Sequence, residues 1–155
     1  MIHLTFDYKN DGSCTTPGQY LKYYRTLQGL TTRQLAEKVG IVPATLVLYE
    51  NERHPIKHET AVALANVLGI DRSKLLDEYT AFVDYPCSSL LKTIRRNLSL
   101  TQVQMAEAIG IGQTTYSGWE REIRVPRRQE YTKILSALKK LKINLDTYFC
   151  QQISI

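Results

Sequence analysis

The sequence predicts an all-α fold made of two tandem copies of one unit of about five short helices, and three observations carry that prediction. Sliding the 155-residue chain against itself by seventy positions brings Leu21, Arg25, Leu30, Thr31, Gln34, Ala36, Glu37, Gly40, Ile41, Thr45, Glu50 and Glu52 onto Leu91, Arg95, Leu100, Thr101, Gln104, Ala106, Glu107, Gly110, Ile111, Thr115, Glu120 and Glu122 without a gap. Within each copy apolar residues recur at helical spacing, as Leu90, Leu91 and Ile94 do. Helix start and stop signals bracket those stretches at matching places: Thr31 with Gln34 and Thr101 with Gln104 form capping boxes, and Gly40 and Gly110 close the helices that follow.

Taken in order, residues 1–17 read as an N-terminal arm. Ile2, Leu4, Phe6 and Tyr8 alternate with more polar residues as a strand does, ahead of the turn-forming stretch from Asn10 to Gly18, and Ile153 and Ile155 alternate in the same way within the C-terminal tail, residues 150–155. Two readings stand for these ends: disordered tails, or short terminal β-strands that pair with one another. The first domain spans residues 18–79, with a second helix capped by Thr31 and ended by Gly40, a fourth from Lys57 to Leu68, and a short fifth capped by Asp71. Residues 80–86 read as a linker. The second domain spans residues 87–149. Its first helix ends near Asn97, and Val103, Met105, Ala106 and Ile109 give its second an apolar side up to Gly110. A third helix runs from Gln113 to Glu120, a fourth from Arg128 to Leu141, and Asn144 caps a fifth. Beyond the gapless span the match thins to Leu68 with Leu138 and Leu75 with Leu145. Helix, short glycine turn, helix is the helix-turn-helix unit.

Composition narrows the function. No apolar run approaches the roughly 18 residues of a membrane span, and the first residues lack the basic and apolar regions of a secretory signal, so a cytoplasmic protein is expected. Cys14, Cys87 and Cys150 are scattered without CxxC or Cys/His spacing, and His3, His54 and His58 complete no site, so neither metal nor cofactor is expected. No nucleophile–base constellation, paired acids or phosphate-cradling glycine loop points to an enzyme. Net charge is +5, unevenly held: residues 1–80 carry nine Lys/Arg against nine Asp/Glu, and residues 81–155 carry eleven against six. A polyanionic partner would be drawn to the second half.

The stretch LTQVQMAEAIGIGQTTYSGWERE, Leu100 to Glu122, with Pro126 six residues after Glu120, resembles the phage repressor and Cro-like helix-turn-helix proteins, the Xre family; LTTRQLAEKVGIVPATLVLYENE, Leu30 to Glu52, resembles it too. The resemblance covers roughly residues 18–78 and 87–148. It implies lambda-repressor-like five-helix domains that bind operator DNA as dimers, with double-stranded DNA as the partner. It also implies that Arg25 with Glu50, and Arg95 with Glu120, form ion pairs tying the first helix to the end of the third.

Carried onto the second copy, the resemblance makes Gln113, Thr114, Ser117 and Gly118 the DNA-facing edge of the recognition helix and puts Gln102 at the start of the supporting helix. Gln can pair with adenine, and Ser or Thr with several bases. Arg121, Arg124, Arg127 and Arg128 follow as a phosphate clamp. Gly118 departs from the pattern, because family members often present a base-contacting side chain there. The first copy departs further: Val42, Pro43, Ala44, Val47 and Leu48 occupy the DNA-facing positions, and none offers a hydrogen bond to a base edge. Contiguous exposed aliphatics mark a protein contact more often than a DNA contact, although Arg33, Arg53 and Lys57 could still reach phosphates. Three functions are therefore weighed: a DNA-binding transcriptional repressor whose second domain reads DNA while the first serves protein contact or homodimerisation; a pseudo-dimer using both domains on two half-sites; and an antirepressor- or antitoxin-like interaction module that no longer binds DNA.

Overall fold

Thr16 opens the first helix, its hydroxyl accepting the backbone N–H of Gln19. In the structure, a computed structural model that describes residues 11–150, the chain divides into two units, Met1–Ala81 and Phe82–Ile155. The terminal strands considered above, at residues 2–8 and 153–155, lie outside the described residues. All regular structure among the described residues is helical.

In the first unit, α1 (Pro17–Leu27), α2 (Thr32–Val39), α3 (Pro43–Glu50) and α4 (His58–Leu68) precede a 3-10 turn, Arg72–Leu75. Their core is aliphatic: Leu21, Leu35, Leu46, Leu64, Leu68 and Leu75 are almost wholly buried. Each helix contributes one or two of these side chains, which is why elements too short to be stable in isolation persist here. Asp71 caps the 3-10 turn through a hydrogen bond from Ser73 N–H at 2.8 Å.

The segment expected as a linker is largely helical. Helix α5 (Glu78–Asp84) starts where Asp77 and Thr80 exchange hydrogen bonds: Asp77 N–H donates to Thr80 Oγ1 and Thr80 N–H to Asp77 Oδ1, both at 2.8 Å.

In the second unit, α6 (Cys87–Asn97), α7 (Gln102–Ile109), α8 (Gln113–Glu120), α9 (Arg128–Lys140) and α10 (Asp146–Cys150) follow. Leu91, Ile94, Met105, Tyr116, Trp119, Ile134 and Leu138 form the core, and Phe82 packs on Tyr131 with ring centroids 4.9 Å apart. Both expected capping boxes are formed. Gly40 and Gly110 sit at φ of 77° and 79°, the left-handed conformation that lets α2 turn into α3, and α7 into α8, within three residues.

Two details differ from expectation. Val103 is 47% exposed, because it lies two residues from Met105 and so on the opposite side of α7. The seventy-residue register also ends inside the fourth helix, since α9 has 13 residues and α4 has 11. The left-handed residues that follow, Gly69 and Lys142, are seventy-three positions apart, so Leu75 and Leu145 are not structural equivalents.

Candidate nucleic-acid interface

The residues that both copies share are mainly occupied in holding the third helix to the first. Arg95 Nε donates to Glu120 Oε1 at 2.6 Å and Nη2 to Oε2 at 3.0 Å, while Nη1 reaches Leu100 O at 3.0 Å. Arg25 does the same with Glu50, at 2.5 and 2.9 Å, and with Leu30 O at 2.8 Å. These pairs are largely withdrawn from water: side-chain exposure is 15% and 3% for Arg95 and Glu120, and 13% and 6% for Arg25 and Glu50. Two parallel N–H···O bonds plus a carbonyl acceptor satisfy the guanidinium well enough for such burial. Burial by itself would raise the Glu120 carboxyl, but hydrogen bonds led by that of Arg95 hold it below the usual carboxylate value.

The second glutamate of the repeated frame has a role that the sequence comparison did not assign. Glu52 and Glu122 both adopt left-handed backbone, at φ of 58° and 60°, and each carboxylate accepts a hydroxyl from the start of the first helix of its unit. Thr16 donates to Glu52, and Ser88 Oγ to Glu122 Oε1 at 2.8 Å. The only sequence signal was that this acid occurs in both copies. With the Arg–Glu pair it clamps the C-terminal end of α3, or of α8, at two points.

What remains exposed differs between the units. On α8 Gln113 and Thr114 are exposed and Ser117 is partly so, while Tyr116 and Trp119 point into the core. Arg121, Arg124, Arg127 and Arg128 are all exposed. Arg127 and Arg128 stand at the N-terminus of α9, where the Arg127 N–H donates to Glu130 at 2.7 Å. Cations are disfavoured by a helix dipole at that end, whereas an anion is favoured there. On α3 the corresponding surface is aliphatic: Val42 is 64% exposed, Val47 41% and Leu48 37%, with Ala44 exposed and Pro43 partly so.

Two of the residues placed on the DNA-facing side by resemblance are engaged in the fold. Gln102 donates through Nε2 to Glu120 Oε2 at 2.8 Å, adding a donor to the buried carboxylate. Gly118 is buried rather than open on the helix surface. The chain reverses at Glu122, the N–H groups of Ile123 and Arg124 both lie within hydrogen-bonding distance of Gly118 O, at 3.0 and 3.4 Å, and the Arg124 side chain lies across the glycine. A Cβ at residue 118 would meet Arg124 Nε at 3.1 Å, Cγ at 3.5 Å and Cδ at 3.6 Å.

Exposed polar side chains on a short helix, followed in the chain by exposed arginines and held by a rigid buried frame, are suited to the groove and phosphates of a duplex. No helix among the described residues is long and apolar enough to cross a membrane. A family model described as helix-turn-helix matches the chain twice, at residues 21–75 and 91–143. No curated protein and no solved structure matches.

Proposed function

The chain belongs to the Xre-like helix-turn-helix family, in two tandem copies, and from that premise we propose that it is a cytoplasmic repressor of transcription that reads double-stranded DNA with its second domain and uses its first for protein contact, self-association foremost. The family is one of DNA-binding transcription regulators. The observation that carries the proposal is the contrast between α8 and α3. Around one shared frame, α8 offers Gln113, Thr114 and Ser117 beside four exposed arginines, and α3 offers Val42, Val47 and Leu48.

In this reading α8 lies in the major groove. Gln113 and Thr114 meet base edges, and Arg121, Arg127 and Arg128 neutralise phosphates on either side. Arg127 and Arg128 gain from the N-terminal end of α9, since a phosphate bound there removes the unfavourable juxtaposition of cation and dipole. Gln102 supports the site by keeping Glu120, and with it the C-terminal end of α8, in place. The aliphatic surface of α3 associates with a second copy of the chain, bringing two reading domains to one operator.

Selection of bound sites from random duplex DNA with the full chain tests this. A palindromic site with two equal half-sites is expected; two different fused motifs would show instead that both domains read DNA, and no enrichment at moderate salt would refute DNA reading altogether. Replacing Arg127 and Arg128 by Ala is expected to weaken binding to all sequences alike and to reduce the log–log salt slope by about 1.8 per half-site, about 3.6 for the palindromic site bound by two copies.

A further inference from the structure

Arg124 was grouped above with arginines that flank the groove, yet its position differs from theirs. Its stem lies along bare helix backbone at Gly118, with Cγ and Cδ 3.5 and 3.6 Å from where a Cβ would stand and Nε at 3.1 Å. Residue 118 lies four positions after Thr114, hence next to it on the same side of α8, about 100° round the helix from Ser117 and roughly opposite the buried Tyr116. The backbone fixes this seat, because the left-handed Glu122 and the bond from Ile123 N–H to Gly118 O fold the chain back onto the helix. Arg124 is exposed, and no carboxylate among the described residues forms a salt bridge with it.

The first unit supplies a comparison. The same reversal occurs there, through the left-handed Glu52 and a bond from Arg53 N–H to Leu48 O at 2.9 Å. At the positions equivalent to 118 and 124 it has Leu48 and His54. The absent side chain and the long cationic one therefore occur together in the unit whose third helix is polar, and neither occurs in the other.

We infer that Arg124 is a base-reading residue: seated on Gly118, it presents its guanidinium from the middle of the α8 edge and recognises a guanine through O6 and N7 in the major groove. This rests on the reading of the second domain as the DNA-binding one. An arginine at the flank of a groove meets phosphates. One laid across the recognition helix beside Thr114 is placed for base edges, and its rigid planar fork matches the two acceptors of guanine better than the point charge of a lysine. Gly118 is then a seat that a side chain would fill, which accounts for a glycine inside a helix.

The test uses the full chain and its own selected site. Wild type is expected to require guanine at one position of each half-site. Arg124→Lys, which keeps the charge, should lose that requirement and bind about tenfold more weakly per half-site, about a hundredfold for the full site, the equivalent of about 1.4 kcal/mol for each bidentate base contact, with an unchanged salt slope. Gly118→Leu, which puts the first unit's side chain where the Arg124 stem lies, should produce the same loss at the same position by displacing the guanidinium, and the two substitutions together should cost no more than either alone. Thermal unfolding followed through Trp119 should show both variants folded. Wild-type affinity and guanine preference in Arg124→Lys would identify a phosphate contact and overturn the inference, as would guanine preference that survives Gly118→Leu. Failure of the wild-type chain to select any sequence would instead refute DNA reading, and the inference would fall with it.

Discussion

Replacing Arg95 with Met should destabilise the second unit and leave the first nearly unchanged. The substitution keeps much of the aliphatic stem but removes both donors to Glu120 and the donor to Leu100 O. It leaves a carboxylate with 3% side-chain exposure served by Gln102. Breaking a buried pair in this way costs about 3–5 kcal/mol, because the remaining charge is desolvated without compensation. A unit of the size of residues 82–155 has a total stability of about 4–11 kcal/mol at typical values per residue, so the loss is roughly a quarter or more of it. For domains of this size that corresponds to a fall in melting temperature of roughly 12–40 °C. The chain carries its own probe, since its one tryptophan is Trp119, which is 1% exposed in that core. Its fluorescence reports unfolding of the second unit, while far-ultraviolet circular dichroism follows both. Arg95→Met should therefore move the fluorescence transition by the amount given and split it from the dichroism transition, and Arg25→Met should move only the dichroism component. Arg95→Met combined with Glu120→Leu should recover most of the loss, because an apolar pair of similar volume needs no compensation. A shift of the Trp119 transition equivalent to less than about 1 kcal/mol would refute the claim that this pair holds the frame.

Acid should act on the same element. Glu120 is held below its ordinary value of 4.5, so the unfolded chain binds its proton more readily than the folded one. The stabilisation is complete above about pH 4.5 and is lost as pH falls through the lower folded value; urea titrations followed by Trp119 fluorescence should show a falling midpoint over that range, flattened in Glu120→Gln. On the first unit, Leu48→Asp places a charge among Val42, Val47 and Ala44 and should weaken self-association at least about tenfold. Sedimentation velocity measures this, and the half-site chosen in a DNA selection should remain the same.

The local parts of this fold were legible in the sequence because their causes are local. The extent of α8 from Gln113 to Glu120, the capping boxes at Thr31 and Thr101 and the left-handed Gly40 and Gly110 all follow from residues within one or two helical turns of each other. The Arg95–Glu120 pair was legible only through the family resemblance, since twenty-five residues separate its members and nothing in either flank announces the other. Helix α5 was hidden because its start depends on an Asp77–Thr80 exchange in a stretch with few other helix signals. Gln102 and Gly118 were placed on the DNA-facing side by position in the motif. Their actual neighbours, Glu120 and Arg124, come from elements that only the folded chain brings near, and the exposed aliphatics of α3 could be read directly because nothing in that unit covers them.

The equal length of the two frames has a consequence for how such a chain can change. From Leu21 to Glu52 and from Leu91 to Glu122 the backbone takes the same number of steps and turns left-handed at the same places, Gly40 and Gly110, Glu52 and Glu122. The first difference in length falls in the fourth helix, where α9 exceeds α4 by two residues. One residue inserted between Gly110 and Gln113 would have to be absorbed within a three-residue turn, or it would rotate the side chains of α8 by about 100° and carry Glu120 away from Arg95. Beyond Leu138 the two copies no longer share one length. The chain is thus divided into a stretch where exposed side chains differ but spacing does not, and a stretch where spacing differs too, and a new surface arises in the first by exchange of exposed side chains alone.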